Sequence, residues 1–359
     1  MQSLLTLLAF LVMLTVIISI HELGHLLAAK AFGVYVSEYS IGMGKLLFSK
    51  QGKETKYSLR LLPIGGYCAI AGDNDTQIEG SVDISNLPKE RTLLGVAKWK
   101  KIIIMLAGVF MNFLLALLIV AGVYLSIGTS VKVPEPIINT VVEGSPADLA
   151  GIKAGDEVEK VTLANGYSIS PDDWGEFSDF MDLYTDGEIT LVIDRDGQEL
   201  TLEVTPAFNE ETDSYYIGVT SPEYTEVKIN IINCFGYSYR YLKEMFKVIL
   251  TSLIGLFRGV GLENLSGPVG IYESTSTAVS MGFSTYLLLV AILSENIGMF
   301  NLIPLPVLDG GRVVITIFEW IVGKPISKKL ENVIMTASFL LFIVLLVLVT
   351  GKDILSLMS

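Results

Sequence analysis

Four stretches of the chain are almost continuously apolar. The first runs from residue 4 to residue 20 without a charged side chain, and its apolar pattern continues to residue 29; the others occupy residues 102–127, 283–303 and 333–350. A helix needs about 20 predominantly apolar residues to cross the hydrocarbon core of a bilayer. The pattern therefore predicts four transmembrane helices.

Lysine and arginine are concentrated in the segments that join the first span to the second and the third to the fourth. Residues 30–101 hold 11 Lys and Arg against 7 Asp and Glu, whereas residues 131–282 hold 9 against 25. Because basic residues mark cytoplasmic loops, we expect both joining segments to face the cytoplasm. The N-terminus, the long acidic segment and the C-terminus then face outward. No Lys or Arg precedes the first span and no convincing cleavage site follows it, which favours a retained span over a signal peptide.

Two segments outside the spans have patterns of their own. Residues 57–73 are apolar, too short to span, and alternate like a β-hairpin with Gly65 and Gly66 at its turn. We expect a re-entrant or interfacial hairpin here, with a soluble loop as the alternative. Residues 229–260 mix apolar and basic positions at helical spacing, which is typical of an amphipathic helix on the outer membrane face.

The acidic segment alternates short β-like runs with turns over residues 137–206 and contains a predicted helix near residues 172–184, so we expect a small α+β domain. The predicted organisation is a multi-pass α-helical membrane protein with four spans, a re-entrant β-hairpin and one extracytoplasmic domain. Its parts are a first membrane half (1–130), the outer domain (134–222), an amphipathic interfacial segment (223–282) and a second membrane half (283–359).

Composition agrees with a protein whose partner is the lipid bilayer. Of 359 residues, 51% are hydrophobic and only 18% are charged, the net charge is −13 and the mean hydropathy is +0.56. The two cysteines, Cys68 and Cys234, lie far apart in sequence, which excludes a disulfide-framed secreted domain. The chain has no basic stripe with interleaved aromatic residues, so a nucleic-acid partner is not expected.

The chain contains two histidines, His21 and His25, and Glu22 directly follows the first. On a helix, residues four apart project from one face, so both imidazoles can bind one zinc ion with the glutamate beside them as a general base. Catalytic zinc also needs a third protein ligand and an open position for water. A pair of core histidines is the alternative, but three ionisable groups within five residues of a span are costly unless they pair or bind metal.

The third ligand must come from elsewhere in the chain, and no further histidine is left to supply it. Glu295, Asp309 and Glu319 are the acidic residues expected at membrane depth. Asp309 ends a run that two prolines break and two glycines follow, and broken backbone within a membrane is tolerated only where protein or a polar cavity surrounds it. We therefore expect Asp309 to point into a site. The alternative is an N-cap for a helix that starts at Gly311.

The motif H-E-L-G-H at residues 21–25, together with N-x-x-P-x-P-x-L-D-G at residues 301–310, resembles the site-2 protease family of intramembrane zinc metalloproteases. Four further motifs resemble its bacterial regulator-of-sigma-E protease branch: P-I-G-G-Y (63–67), A-G-x-x-x-N-F (107–113), S-G-P-V-G-I (266–271) and S-x-N-x-G (294–298). The family usually has proline where this chain has Val109.

This resemblance implies a Zn²⁺ ion held by His21, His25 and Asp309, with Glu22 as the general base. It implies cleavage within or near the transmembrane segment of single-span membrane proteins, such as anti-sigma factors or remnant signal peptides.

The resemblance also implies that Asn301 and the hairpin with Gly65 and Gly66 hold the substrate in an extended form. Strand pairing satisfies the backbone groups that are freed when a substrate helix unwinds. The chain is short for the family, which indicates one outer domain where some relatives carry two.

Residues 144–158 resemble the S-P-A-x-x-A-G-x-x-x-G-D pattern of PDZ domains. Such a domain would read substrate tails or gate access, since PDZ domains add a peptide strand to a sheet edge. A rigid lid that binds no peptide is the alternative.

Two other functions compete with the protease. A zinc transporter would also place His and Asp in spans, but transport gives no reason for Glu22. A catalytically inactive, PDZ-bearing scaffold has no reason to retain Glu22 together with all the ligands. The protease hypothesis explains the histidines, the Asp309 motif and the outer domain together.

Overall fold

The computed structural model of the chain describes residues 2–72, 87–181, 184, 187–209, 214–257 and 266–358. Parts of three predicted segments, at residues 73, 182–183 and 258–260, lie outside them. The chain divides into two compact units, one formed by residues 1–126 with 230–359 and the other by residues 127–229.

The helices, in chain order, are α1 (Gln2–Ala31), α2 (Lys98–Ile127), α3 (Pro146–Leu149), α4 (Trp174–Met181), α5 (Cys234–Phe257), α6 (Pro268–Met281), α7 (Phe283–Asn301), α8 (Asp309–Val322) and α9 (Lys328–Met358). The strands are β1 (Val36–Gln51), β2 (Lys56–Ile70), β3 (Thr129–Lys132), β4 (Thr140–Val141), β5 (Glu157–Thr162), β6 (Ser168–Ile169), β7 (Ile189–Arg195), β8 (Gln198–Val204), β9 (Ala207–Asn209), β10 (Ser214–Tyr216), β11 (Val219–Thr220) and β12 (Thr225–Lys228). A short 3-10 helix covers Lys89–Arg91.

Four of these helices are long and apolar enough to cross a membrane: Ser3–Ala31 in α1, Lys98–Ile127 in α2, Phe283–Asn301 in α7 and Val333–Asp353 in α9. This confirms the prediction of four long apolar helices.

Contacts along α1 show how three of the long helices are oriented relative to one another. Near the start of α7, the Tyr286 hydroxyl donates to the carbonyl of Ala9 near the start of α1 at 2.9 Å. Near the start of α2, the Ile104 carbonyl accepts from His25, close to the end of α1. Further along α1, Met13 and Ile17 share a core cluster with Val290 of α7 and Leu115 of α2. Together these contacts show that α1 and α7 run in the same direction and that α2 runs antiparallel to them.

The structure corrects the predicted hairpin at residues 57–73. Residues 57–70 belong to one long strand, β2, which pairs with β1, and the turn between the strands lies at residues 52–55. Gly65 and Gly66 lie inside β2 rather than at the turn. The register shifts along the pair. As a result, two different parts of β2 lie opposite the same residue of β1, since Tyr39 is paired with both Tyr57 and Cys68. The two strands therefore bend into a curled sheet, a long-range pairing that local alternation does not encode.

This sheet lies against α1 within the apolar stretch of the helix. The Thr15 hydroxyl of α1 donates to the carbonyl of Pro63 in β2, and the Tyr39 hydroxyl of β1 donates to the carbonyl of Ser19 at 2.7 Å. One face of α1 thus supports β2 over the turns that lead to the histidine motif. Away from α1 the sheet exposes large apolar side chains, among them Phe48 at 64% and Leu47 at 57%.

The second unit contains a four-stranded sheet in the order β6-β5-β7-β8. Asp196 and Gly197, both at positive φ, form the tight turn between β7 and β8. Apolar residues from this sheet and from α4 build the core of the unit, including Val161, Leu191 and Phe177. At its base β3 pairs with β12, with Lys132 opposite Thr225, so the chain enters and leaves the unit side by side.

A buried ion pair ties the segment that precedes β5 to the sheet. Arg195 of β7 donates from Nε and Nη2 to the two carboxylate oxygens of Asp156 at 2.7 and 2.8 Å. Burial raises the pKa of Asp156, but the hydrogen bonds from Arg195 and from the backbone N–H of Lys153 outweigh it, so the pKa lies below its ordinary value. The carboxylate is therefore charged and bonded at neutral pH.

Candidate active site

The three side chains that were predicted to bind metal lie close together where the end of α1 meets the start of α8. The Nε2 atoms of His21 and His25 lie 3.2 Å apart, and Oδ2 of Asp309 lies 3.0 Å from the first and 3.4 Å from the second. Both histidines are buried and Asp309 is nearly so. Among the described residues, this is the group of His, Cys, Asp and Glu side chains that is close enough to hold a metal ion.

The spacing of these three atoms suits a tetrahedral zinc ion. Zinc binds imidazole nitrogen and carboxylate oxygen at about 2.0–2.1 Å, which places tetrahedral ligands about 3.3 Å from one another. The observed edges of 3.0, 3.2 and 3.4 Å bracket that value. Two neutral imidazoles and a carboxylate are also the donor set of catalytic zinc sites, which leave one position open.

The second nitrogen of His25 fixes the tautomer of its ring. Nδ1 lies 2.8 Å from the carbonyl oxygen of Ile104 in α2. A carbonyl only accepts, so Nδ1 must carry the proton, and Nε2 presents its lone pair toward His21 and Asp309.

Two glycines allow α1 and α2 to cross closely at the site. A Cβ atom on Gly24 would lie 2.2 Å from the carbonyl oxygen of Ala107, which is a clash with backbone. A Cβ atom on Gly108 would lie 2.5 Å from Nε2 of His25 and 2.7 Å from Nε2 of His21. Gly24 therefore sets the helix separation, and Gly108 keeps the space in front of the imidazoles open.

The break after α7 places Asp309 at the first position of α8, where Leu308 rather than Asp309 is the N-cap. The alternative of Asp309 as the N-cap of a helix starting at Gly311 is therefore wrong. A Cβ atom on Gly310 or Gly311 would lie 2.2 Å from the backbone of Leu302 or Leu305. The two glycines thus let α8 begin directly against the preceding turn, which aims the carboxylate at the histidines.

Glu22 lines a cavity of about 250 Å³ together with the three converging side chains. Its carboxylate accepts a hydrogen bond from the backbone N–H of Cys68 in β2. That bond orients the carboxylate from the side of the sheet.

The residues predicted to contact the substrate differ in how they relate to this cavity. Asn301, the last residue of α7, lines it. Gly66 lies beside Glu22, since a Cβ atom there would be 3.9 Å from Glu22 Cγ. Gly65 has a φ of +89° and packs against Met43, and it is not among the described lining residues.

The other two acidic residues considered as third ligands lie elsewhere. Glu295 is buried on α7 and faces a different cavity, lined by Phe113 of α2 and Leu242 of α5. Glu319 of α8 pairs with Lys98 and accepts from the backbone N–H of Ile326 at 3.1 Å. Asp309 is thus the acidic residue that meets the histidines.

Sequence reasoning missed several residues at this site. Tyr67, Cys68 and Arg312 all line the cavity. Gly24 and Gly108 belong to two of the sequence motifs, but the motifs predict no role for either glycine in helix packing. A glycine inside an apolar helical pattern is a signal of close backbone approach, but the pattern does not say what approaches it.

Comparison with known proteins gives consistent matches over nearly the whole chain. The model of peptidase family M50 matches residues 9–345. A protein of Clostridium acetobutylicum described as a zinc metalloprotease is 34% identical over 340 residues, 94% of each chain. One of Clostridium perfringens with the same description is 35% identical over 343 residues, 94% of this chain and 95% of that one.

Zinc metalloprotease RasP of Oceanobacillus iheyensis is 31% identical over 425 residues, covering 97% of this chain and 98% of its own. That alignment is longer than the 359 residues of this chain, so it contains gaps on this side.

Gly108→Ala should lower the affinity for zinc by at least about tenfold, because the new methyl group occupies the space beside both Nε2 atoms. The matched control is Gly122→Ala on the same helix, where nothing lies within 4 Å of the added Cβ atom. Zinc per chain, measured in a chelator titration of each purified variant, checks this. Equal zinc retention by the two variants would contradict the described packing.

Proposed function

The chain belongs to peptidase family M50 and is an intramembrane zinc metalloprotease of the site-2 type, and from this we propose the roles of its residues. His21, His25 and Asp309 hold the zinc ion. Glu22 is the general base. The observation that carries the proposal is the triangle of two imidazole nitrogens and one carboxylate oxygen, at the spacing of tetrahedral ligands, in one cavity with Glu22.

The zinc ion and the residues around it have separate roles in hydrolysis. Zinc, when bound, lowers the pKa of water and polarises a carbonyl group. The Glu22 carboxylate accepts the proton of the attacking water and then returns it to the amide nitrogen as the C–N bond breaks. The N–H of Cys68 holds this carboxylate in place, and Ile70 and Ile104 contribute apolar surface to the same cavity.

We propose that the substrates are single-span membrane proteins, cut within or next to the span. The catalytic residues lie on or beside helices long enough to cross a membrane, and β2 lies beside Glu22. A substrate segment unwound beside β2 would satisfy its backbone groups by strand pairing, with the Asn301 side chain as a further partner. At Gly66 the absence of a side chain lets β1 approach closely, since a Cβ atom there would lie 2.7 Å from the carbonyl oxygen of Ser40.

We propose that the N-terminus, residues 127–229 and the C-terminus face the outside of the cell, and that the β1–β2 sheet enters the membrane from the cytoplasmic side. The basic residues of 30–101 support this orientation. The contact of β1–β2 with the apolar stretch of α1 supports the re-entrant placement of the sheet.

We propose that the second unit is a PDZ-like gate for substrates. In its S-P-A segment Ser145 caps α3, and Asp156 closes the motif through its pair with Arg195. None of the four proposed chemical residues lies in this unit. It is therefore suited to select substrates rather than to cut them.

Glu22→Gln should lower turnover at least about 100-fold, because the amide cannot take a proton from water. Zinc should remain at about one ion per chain. Cleavage of a tagged single-span protein by the purified enzyme in detergent, with zinc analysis, measures both. Glu90→Gln, an exposed change of the same kind, is the control. Undiminished proteolysis by Glu22→Gln would refute the proposed role.

Single cysteines should report the orientation, since Cys68 and Cys234 are buried. A membrane-impermeant maleimide added to intact cells should label Leu149→Cys, which is 82% exposed in the second unit. Lys89→Cys and Lys324→Cys should react only after the membrane is opened, because they lie in the basic segments. Labelling of Lys89→Cys in intact cells would overturn the orientation.

Removing the second unit should leave zinc binding intact and relax substrate selection. Because Lys132 and Thr225 are paired, residues 133–224 can be replaced by a short Asn-Gly turn without moving the strands that hold them. The shortened enzyme should cleave a substrate with a bulky outer domain that the full chain rejects, and a short substrate at least as well as before. A lower apparent affinity for both substrates would show a recruiting domain instead.

A further inference from the structure

Arg312 is the one lysine or arginine among the described residues that line the catalytic cavity. It lies on α8 three residues after Asp309, and side chains at this spacing share a face of a helix. It is partly buried. A cationic side chain therefore faces the same space as the ligand triangle and Glu22.

The position of Arg312 is fixed by the start of α8. Its backbone N–H donates to Leu308 at 3.3 Å, and its carbonyl accepts from the Thr316 hydroxyl at 2.8 Å. Gly310 and Gly311 press the same turn against residues 302–306. These contacts fix the backbone of Arg312 relative to Asp309, so that its side chain starts from a defined point at the edge of the cavity.

Hydrolysis creates a need for such a group. As water adds to the scissile carbonyl, negative charge develops on the carbonyl oxygen, and fixed donors aimed at that oxygen lower the barrier. Both histidines of the chain are occupied as proposed ligands. The neutral donors of the cavity include Tyr67 and Asn301, and Tyr67 lies under the Arg60 guanidinium at 5.4 Å. Arg312 is the lining residue that offers both a donor and a positive charge.

We propose that Arg312 is a further catalytic residue, which donates a hydrogen bond to the carbonyl oxygen of the scissile bond as that oxygen becomes negative. This inference rests on the proposed function of the site. Water oxygen bonds to the carbonyl carbon, the C=O electron pair moves onto oxygen beside Arg312, and the water proton passes to Glu22. The C=O bond then re-forms, the C–N pair leaves on nitrogen, and nitrogen takes the proton from Glu22. Arg312 transfers no proton.

The forked shape of arginine suits this position better than lysine does. Glu22 and Asp309 put two carboxylates around the cavity, and a guanidinium has five N–H donors in a planar fork. These five donors let a guanidinium bond to a protein acceptor and to the carbonyl oxygen of the substrate at the same time.

The test compares full-length wild type with Arg312→Met, Arg312→Ala, Arg312→Lys and the control Lys324→Met, which changes an exposed cation just after α8. Arg312→Met should lower kcat about 100-fold with little change in KM and with zinc retained, the size of effect seen when one oxyanion donor is lost. Arg312→Lys should lose less, and Lys324→Met should match wild type. Added guanidinium should restore part of the activity of Arg312→Ala.

A binding measurement separates charge stabilisation from a structural role. A substrate peptide with a phosphinate in place of the scissile amide carries a tetrahedral anion, and its uncharged methylene counterpart does not. Arg312→Met should bind the phosphinate peptide about 100-fold more weakly and the methylene peptide unchanged. Equal weakening of both peptides, loss of zinc, or a kcat within threefold of wild type would overturn the proposal. Glu22→Gln tested in parallel distinguishes this failure from a failure of the proposed protease chemistry.

Discussion

The site depends on how closely the backbones of α1 and α2 approach each other. Gly24 lies directly against the backbone at Ala107, and Gly108 leaves room for the two imidazoles, so the helices cross more closely than larger residues would allow. This crossing brings the Ile104 carbonyl to His25 and leaves a space in which three ligand atoms meet. Bulkier residues at either position would separate the helices or fill that space. The spacing of the proposed metal ligands is therefore a consequence of helix packing.

A second constraint is that backbone groups at membrane depth need partners. The chain breaks its helical hydrogen bonding between α7 and α8, where residues 302–308 turn back and α8 begins against them. The break is covered by the close contacts of Gly310 and Gly311 and by the cavity on the other side. The irregular segment is thus backed by α8 on one side and by the cavity on the other, while Leu302 and Pro304 stay exposed, and it directs Asp309 toward α1.

The sequence predicts the candidate site well, because ionisable side chains are rare in apolar segments. Two histidines, a glutamate and an aspartate stand out in the spans because their cost there demands a reason. Pairing over a distance was not predictable. The alternation of residues 57–73 indicated a hairpin, but the partner of β2 is β1, and nothing local encodes that Tyr39 faces both Tyr57 and Cys68. Likewise, Glu319 is removed from the ligand set by its pair with Lys98, a partner 221 residues away.

The base of the second unit has a consequence for how such proteins change over evolution. Because β3 and β12 pair with each other, residues 133–224 are joined to the rest of the chain through one pair of adjacent strands, which form a stem. A domain inserted at such a stem can be enlarged, duplicated or exchanged without altering the path of α2 or the helices that follow. Substrate preference and bond cleavage can then diversify separately, because a change between the paired strands does not require a change in the membrane helices.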